Sequence, residues 1–262
     1  KILREGPSQI CDKTGCTGGG PATFDICVQD INVIIPLDFG LESPNNAYGY
    51  LTNRGQLLKS DGTPAREVKL YTTNTNPTLY FTDNSVSYQF AKVDTISSTF
   101  DTLCRINMTL VGGSSGTKVF KTEQAEGLTN YYLPQTPKGV VNNKSYYRTV
   151  TTNVYPNIDM QWYSNSLGEK FYFIVNPGGN PDDIILKFDG ATSVIATPTG
   201  GLQVITPLGT IEYEAPHAYR INPGDNIVPM PWQAKFVQVT AISVKFETHP
   251  YDPIMPLFIQ VD

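Results

Sequence analysis

Ile158-Asp-Met-Gln-Trp-Tyr-Ser-Asn-Ser-Leu-Gly-Glu-Lys-Phe-Tyr-Phe-Ile-Val175 reads as two strands and the turn between them. Ile158, Met160 and Trp162 alternate with other residues, Asn165-Ser-Leu-Gly168 supplies the turn, and Phe171, Phe173 and Val175 alternate on the return. Successive side chains on a strand point to opposite faces, so period-two alternation marks a hairpin with one face on a core. The same periodicity sends Trp162 inward and Tyr163 to the other face.

The pattern recurs on both sides of this stretch. Leu79 and Phe81, the turn Asp83-Asn84, then Val86, Tyr88 and Phe90 predict another hairpin, and Ile106, Met108 and Leu110 a strand stopped by Gly112-Gly113. Further strands are predicted over 184–188, 194–196, 202–205, 210–213, 235–239, 242–246 and 257–261, many separated by turns such as Pro198-Thr-Gly-Gly201 and Asn222-Pro-Gly-Asp225. Residues 123–128 could form one helical turn at most. Strands spaced roughly 8 to 12 residues apart predict an all-β, antiparallel β-sandwich architecture rather than βαβ units. We expect a disulfide-bearing N-terminal extension over 1–47, with an apolar strand at 31–37, and two packed β subdomains over 48–140 and 141–262.

Composition agrees with that fold and excludes several functions. Of 262 residues, 40% are hydrophobic, enough for a core, and 16% are charged. The net charge of −5, with no run of Lys or Arg, argues against a nucleic acid partner. No stretch reaches the roughly 20 apolar residues of a membrane-spanning helix, and Lys1-Ile-Leu-Arg4 does not begin like a signal peptide.

The four cysteines, Cys11, Cys16, Cys27 and Cys104, allow three pairings. Close spacing favours Cys11–Cys16, which leaves Cys27–Cys104 as a long staple contributing up to about 4 kcal/mol. A zinc site would need a second close pair of ligands, and the only histidines, His217 and His249, lie far downstream. Disulfides and the Thr- and Asn-rich composition point to an extracellular, cell-surface setting.

Several pieces have a family likeness: Asn53-Arg-Gly-Gln56, Asn130-Tyr-Tyr132, Val154-Tyr-Pro-Asn-Ile-Asp-Met-Gln-Trp-Tyr163, Phe173-Ile-Val-Asn-Pro-Gly178, Leu186-Lys-Phe-Asp-Gly-Ala191, Pro216-His-Ala-Tyr219, Tyr251-Asp-Pro253 and Pro256-Leu-Phe-Ile259. In this order they resemble the uncharacterised β domain that precedes SBBP-type β-propeller repeats in secreted Bacteroidota proteins. The chain departs from that pattern by closing on Gln260-Val-Asp262 in place of Ile-Asp-Pro. The resemblance implies exported surface architecture, in proteins many of which end in a sorting domain for type IX secretion, and it implies no established reaction.

Residues that could carry chemistry have simpler readings. There is no Gly-x-Ser-x-Gly elbow, Gly113-Ser-Ser-Gly116 reads as a loop, and the two histidines read as structural hydrogen-bonding groups. Asp159, Glu169, Asp182, Asp183, Asp189 and Asp252 could include a glycosidase pair, but Asp beside turns usually bonds local backbone amides. No cofactor is expected; calcium at Asp182-Asp183 or Asp225 is the one candidate, without a recognised loop motif. For ligand binding, Trp232 between prolines and the outward Tyr163 are the candidate residues. The expected function is a non-catalytic structural or assembly module of a large secreted bacterial adhesin or filament. Its partners would be other domains or subunits of that assembly, further copies of the chain included. A carbohydrate-binding module using exposed aromatics is the alternative, and a secreted hydrolase the third reading.

Overall fold

The computed structural model describes residues 2–3, 9–12, 15–18, 23–26, 49–73, 75–92, 101–165, 168–221, 227–229 and 234–262. The strands in chain order begin with β1 (Ile2–Leu3), β2 (Gln9–Asp12), β3 (Gly15–Gly18), β4 (Thr23–Ile26), β5 (Tyr50–Thr52), β6 (Leu70–Tyr71), β7 (Thr78–Phe81) and β8 (Ser85–Lys92). They continue with β9 (Asp101–Leu110), β10 (Val119–Gln124), β11 (Thr129–Tyr131), β12 (Val140–Asn143), β13 (Ser145–Tyr155), β14 (Ile158–Asn165), β15 (Gly168–Val175) and β16 (Ile185–Asp189). The last are β17 (Ser193–Ala196), β18 (Leu202–Thr206), β19 (Gly209–Tyr213), β20 (His217–Ile221), β21 (Ile227–Pro229), β22 (Lys235–Thr240), β23 (Ser243–Glu247) and β24 (Leu257–Val261). Among the described residues the one helical element is a 3₁₀ turn at Pro181–Asp183.

The alternating stretches pair as their periodicity requires. β14 and β15 form an antiparallel hairpin with Ile158 opposite Val175, Met160 opposite Phe173 and Trp162 opposite Phe171. β7 and β8 form another, with Leu79 opposite Tyr88 and Phe81 opposite Val86. Pairing extends the first hairpin to β10-β13-β14-β15-β24-β20-β21. It extends the second to β5-β6-β7-β8-β9-β16-β23-β22.

These two layers face each other. Across the gap the Phe81 and Trp162 rings lie 5.4 Å apart edge to face, and Phe173 and Phe246 lie 5.7 Å apart. The layers join at one corner, where β5 pairs with the start of β13. The three-stranded sheet β17-β18-β19 adds Val194, Leu202, Val204 and Ile211 to the same apolar core. The result is the all-β sandwich that the alternation predicts, and among the described residues all but one of its strand pairs run antiparallel. The exception is β4, which lies parallel to β9 with Ile26 opposite Leu103.

Pairing and packing run across residue 140: β5 pairs with β13, β9 with β16, and one apolar cluster spans Tyr50 to Val261. Residues 119–124 form a strand, held by the β13 ladder from Val119–Thr151 to Gln124–Tyr146, and no helical turn forms over 123–128. The strand expected at 31–37 lies outside the described residues.

A smaller core fills the back of β5-β6-β7. Leu51, Tyr71 and Tyr80 pack there against Leu57, Ala65 and Val68 from the following loop. Asn53 holds that loop by donating from Nδ2 to the Ala65 and Val68 carbonyls at 2.7 and 3.0 Å. Gln56 is fully buried and donates to Thr52 O at 2.7 Å and to the Tyr71 hydroxyl at 3.1 Å. The Asn53-Arg-Gly-Gln56 motif is therefore a loop staple. Likewise Gly190, in Asp189-Gly190-Ala191, has φ +93° and sits where a Cβ would come 2.7 Å from the Arg105 carbonyl, so a side chain has no room.

Candidate functional site

Because alternate residues of β14, β15, β24 and β20 enter the core, the intervening ones form a common outer face. Tyr163 lies on it opposite Lys170, Gln161 opposite Tyr172, Ile174 opposite Phe258, and Phe258 opposite Tyr219. The Tyr219 and Phe258 rings stack at 5.2 Å with planes 7° apart. All four aromatic side chains are half-buried, and Phe120 at the margin is 53% exposed.

Arg148 on β13 ties this face together. Its guanidinium lies 5.2 Å from the Tyr163 ring centroid and 5.9 Å from that of Tyr172, within cation–π range. It also donates to Glu123 Oε1 at 2.8 Å, to Gln161 Oε1 at 3.2 Å and to the Tyr172 hydroxyl. Tyr172 in turn donates to Gln161 Oε1 at 2.8 Å. Burial raises the Tyr172 hydroxyl pKa although Arg148 pulls against it, so this phenol remains a neutral donor. An outer face of aromatic rings with one guanidinium held by hydrogen bonds and ring contacts suits contact with another surface or a ring-shaped ligand.

The carboxylates considered for catalysis are dispersed. Asp159 accepts from the Asn153 amide at 2.8 Å and Asp252 from the Ile254 amide at 3.0 Å, the local bonding expected of Asp beside turns. Asp189 pairs with Lys187 at 2.7 Å. Asp182 pairs with Lys245 at 2.9 Å and Asp183 accepts from Asn180 at 3.2 Å. A lysine thus occupies the position where calcium was considered; Asp225 lies outside the described residues. Among the described residues no three His, Cys, Asp or Glu side chains gather as a metal site. His217 is exposed, with Nε2 3.9 Å from Asp262.

Glu169 differs from the other carboxylates. It points inward from β15 and accepts from the Tyr50 hydroxyl and, at 2.8 Å, from Ser164 Oγ. Burial raises its pKa, and the Tyr50 and Ser164 hydrogen bonds oppose that shift. The Tyr50 hydroxyl is itself pushed well up, first by burial and then by the Glu169 charge.

Of the ligand-binding candidates, Tyr163 faces outward as predicted and Trp232 lies outside the described residues. Arg148 was not singled out from sequence. Its signal was its place in Tyr146-Tyr-Arg-Thr149, a segment without apolar alternation. The cysteines are only partly placed. β2 and β3 pair with Cys11 opposite Cys16, Cys104 is buried on β9, and Cys27 lies outside the described residues. The β4–β9 register ends at Ile26 opposite Leu103, one position short of Cys27 and Cys104 in sequence.

Fold and surface together define a β-sandwich domain whose outer face carries aromatic side chains and, on its β13 side, Arg148. Residues 50–260 match the family described as a domain of unknown function (DUF7948), and the chain belongs to that family. No curated protein and no solved structure matches it.

Proposed function

We propose that the chain is a non-catalytic structural module of a large exported bacterial surface protein, and that it holds an adjoining domain of that protein against the outer face of β14-β15-β24-β20. The composition of that face carries the reading. Tyr163 and Tyr172 pack against Arg148, Tyr219 and Phe258 stack on β20 and β24 of the same face, and aromatic residues with arginine are the types enriched at interface centres. The resemblance to a domain preceding propeller repeats supports a role in joining parts.

The test uses the full-length protein. Deleting the domain should disturb assembly or surface display, and Arg148→Ala combined with Tyr163→Ala should weaken docking at least tenfold with folding intact, the order expected of hot-spot loss. His217→Ala with His249→Ala should leave assembly and function unchanged. If the histidine pair abolishes function while folding and assembly persist, a catalytic or metal-dependent role replaces the architectural one.

Export also predicts the cysteine chemistry. Thiol titration of the denatured chain should read near zero; four reactive thiols would place the protein in a reducing compartment.

The parallel stack of Tyr219 and Phe258 favours a second reading, as a platform for a sugar ring. A glycan array separates the two, since binding lost in Tyr219→Ala would favour the carbohydrate module.

A further inference from the structure

A cavity of about 350 Å³ lies between the two layers, below the Asp83-Asn84 turn and the 113–117 loop. Phe81, Val86, Met108 and Met160 contribute apolar wall. Thr149 and Trp162, opposite one another on β13 and β14, line it as well. They are 1% and 3% exposed, and among the described residues Thr149 Oγ1 and Trp162 Nε1 have no hydrogen-bond partner. Buried polar side chains normally find partners, so two orphans on one cavity wall call for a group that satisfies both.

We propose that this cavity binds an uncharged, ring-sized amphipathic molecule that presents a carbonyl or hydroxyl oxygen to Trp162 and Thr149. The indole N–H can only donate, so the ligand must offer an acceptor; the threonine hydroxyl can donate to the same oxygen or accept from it. The apolar wall requires a hydrocarbon body, and the volume falls at the small end of ordinary ligand pockets. No lining side chain is cationic, and Asp83 at the mouth is 3.4 Å from Lys69, which leaves no free positive charge to hold an anion. Ser114, Ser115 and Asn84 at the mouth suit the hydrated end of such a molecule. The mouth is built rather than loose, because Thr117 Oγ1 donates to the Asp83 carbonyl at 2.7 Å and the Val119 amide to its carboxylate at 3.3 Å.

The indole proton reports on occupancy directly. In ¹H–¹⁵N spectra of the full chain, the indole signal that persists in Trp232→Phe belongs to Trp162. Titration with cyclohexanone should move that signal saturably, whereas methylcyclohexane, similar in size but without an acceptor, should not. Thr149→Val keeps the volume and should weaken cyclohexanone about fivefold, the effect of one neutral hydrogen bond. Val86→Phe should fill the cavity and abolish the shift; if that variant does not fold, Thr149→Val carries the test. An indole signal unmoved by cyclohexanone overturns the proposal and leaves the cavity to water. A shift undiminished in folded Val86→Phe, or affinity unchanged in Thr149→Val, overturns it equally.

Discussion

Phe173→Ala should lower the unfolding free energy by about 3–5 kcal/mol, the range for removing a fully buried aromatic ring. Phe173 sits mid-strand on β15, with neighbours β14 and β24 on either side, and is 0% exposed. Its ring meets Phe246 of the opposing layer at 5.7 Å and Phe171 of its own strand at 6.1 Å. Hydrogen-bonded strands on both flanks prevent the backbone from moving in, so most of the vacated volume stays open and the cavity penalty adds to the lost transfer energy. Phe120→Ala is the control: that ring is 53% exposed and its loss should change stability by no more than about 0.5 kcal/mol. Urea unfolding of both variants provides the measurement. Similar small losses in the two would mean that the layers do not close over Phe173 as described.

Tyr50→Phe should cost about 1.5–3 kcal/mol at neutral pH, the value of a hydrogen bond to a charged acceptor. Tyr50 on β5 and Glu169 on β15 belong to opposite layers, 119 residues apart in sequence, so this bond clamps the sandwich near the corner where the sheets join. The loss should depend on pH in a definite direction. Burial raises the Glu169 pKa in the folded protein, so its contribution is fully present below the unfolded carboxyl pKa and is lost as pH rises through the folded value. Removing the Tyr50 donor takes away one of the bonds that oppose the shift and lifts the folded pKa further. The deficit of the variant therefore grows from acid to neutral pH. Near pH ~4, where the carboxyl is largely protonated in both states, it should shrink to about 0.5–1.5 kcal/mol, the worth of a neutral bond. A deficit that does not change with pH would show that Tyr50 and Glu169 do not act as a pair.

Legibility in the sequence followed the burial of single faces. β14, β15, β7 and β8 could be read because apolar residues alternate along them, and the outward direction of Tyr163 came from the same periodicity. β13 could not, although it is the longest strand among the described residues: Ser145 and Thr149 are its buried residues at the positions where alternation would be sought, and its other face carries Arg148 and Val150. A strand that buries hydroxyls and exposes mixed residues leaves no period-two trace in hydrophobicity. The outer face was half legible for a related reason, since Tyr163 can be placed on its own strand, but Tyr219 and Phe258 become its neighbours only through pairing of β20 with β24. The Tyr50–Glu169 contact and the orphaned atoms of Thr149 and Trp162 depend on how whole layers stack, which no local pattern encodes. The pairings that cross residue 140, Leu110 opposite Leu186 and Ser145 opposite Leu51, are long-range in the same way.

The place of β24 has a consequence for how this chain comes to be made. It is the latest strand in sequence, yet it lies inside its layer between β15 and β20, with Leu257, Ile259 and Val261 at 0% exposure. Until those five residues arrive, β15 and β20 each lack a neighbour and the layer has a slot through its middle. A chain emerging N-terminus first would therefore leave this layer open until residues 257–261 had joined β15 and β20.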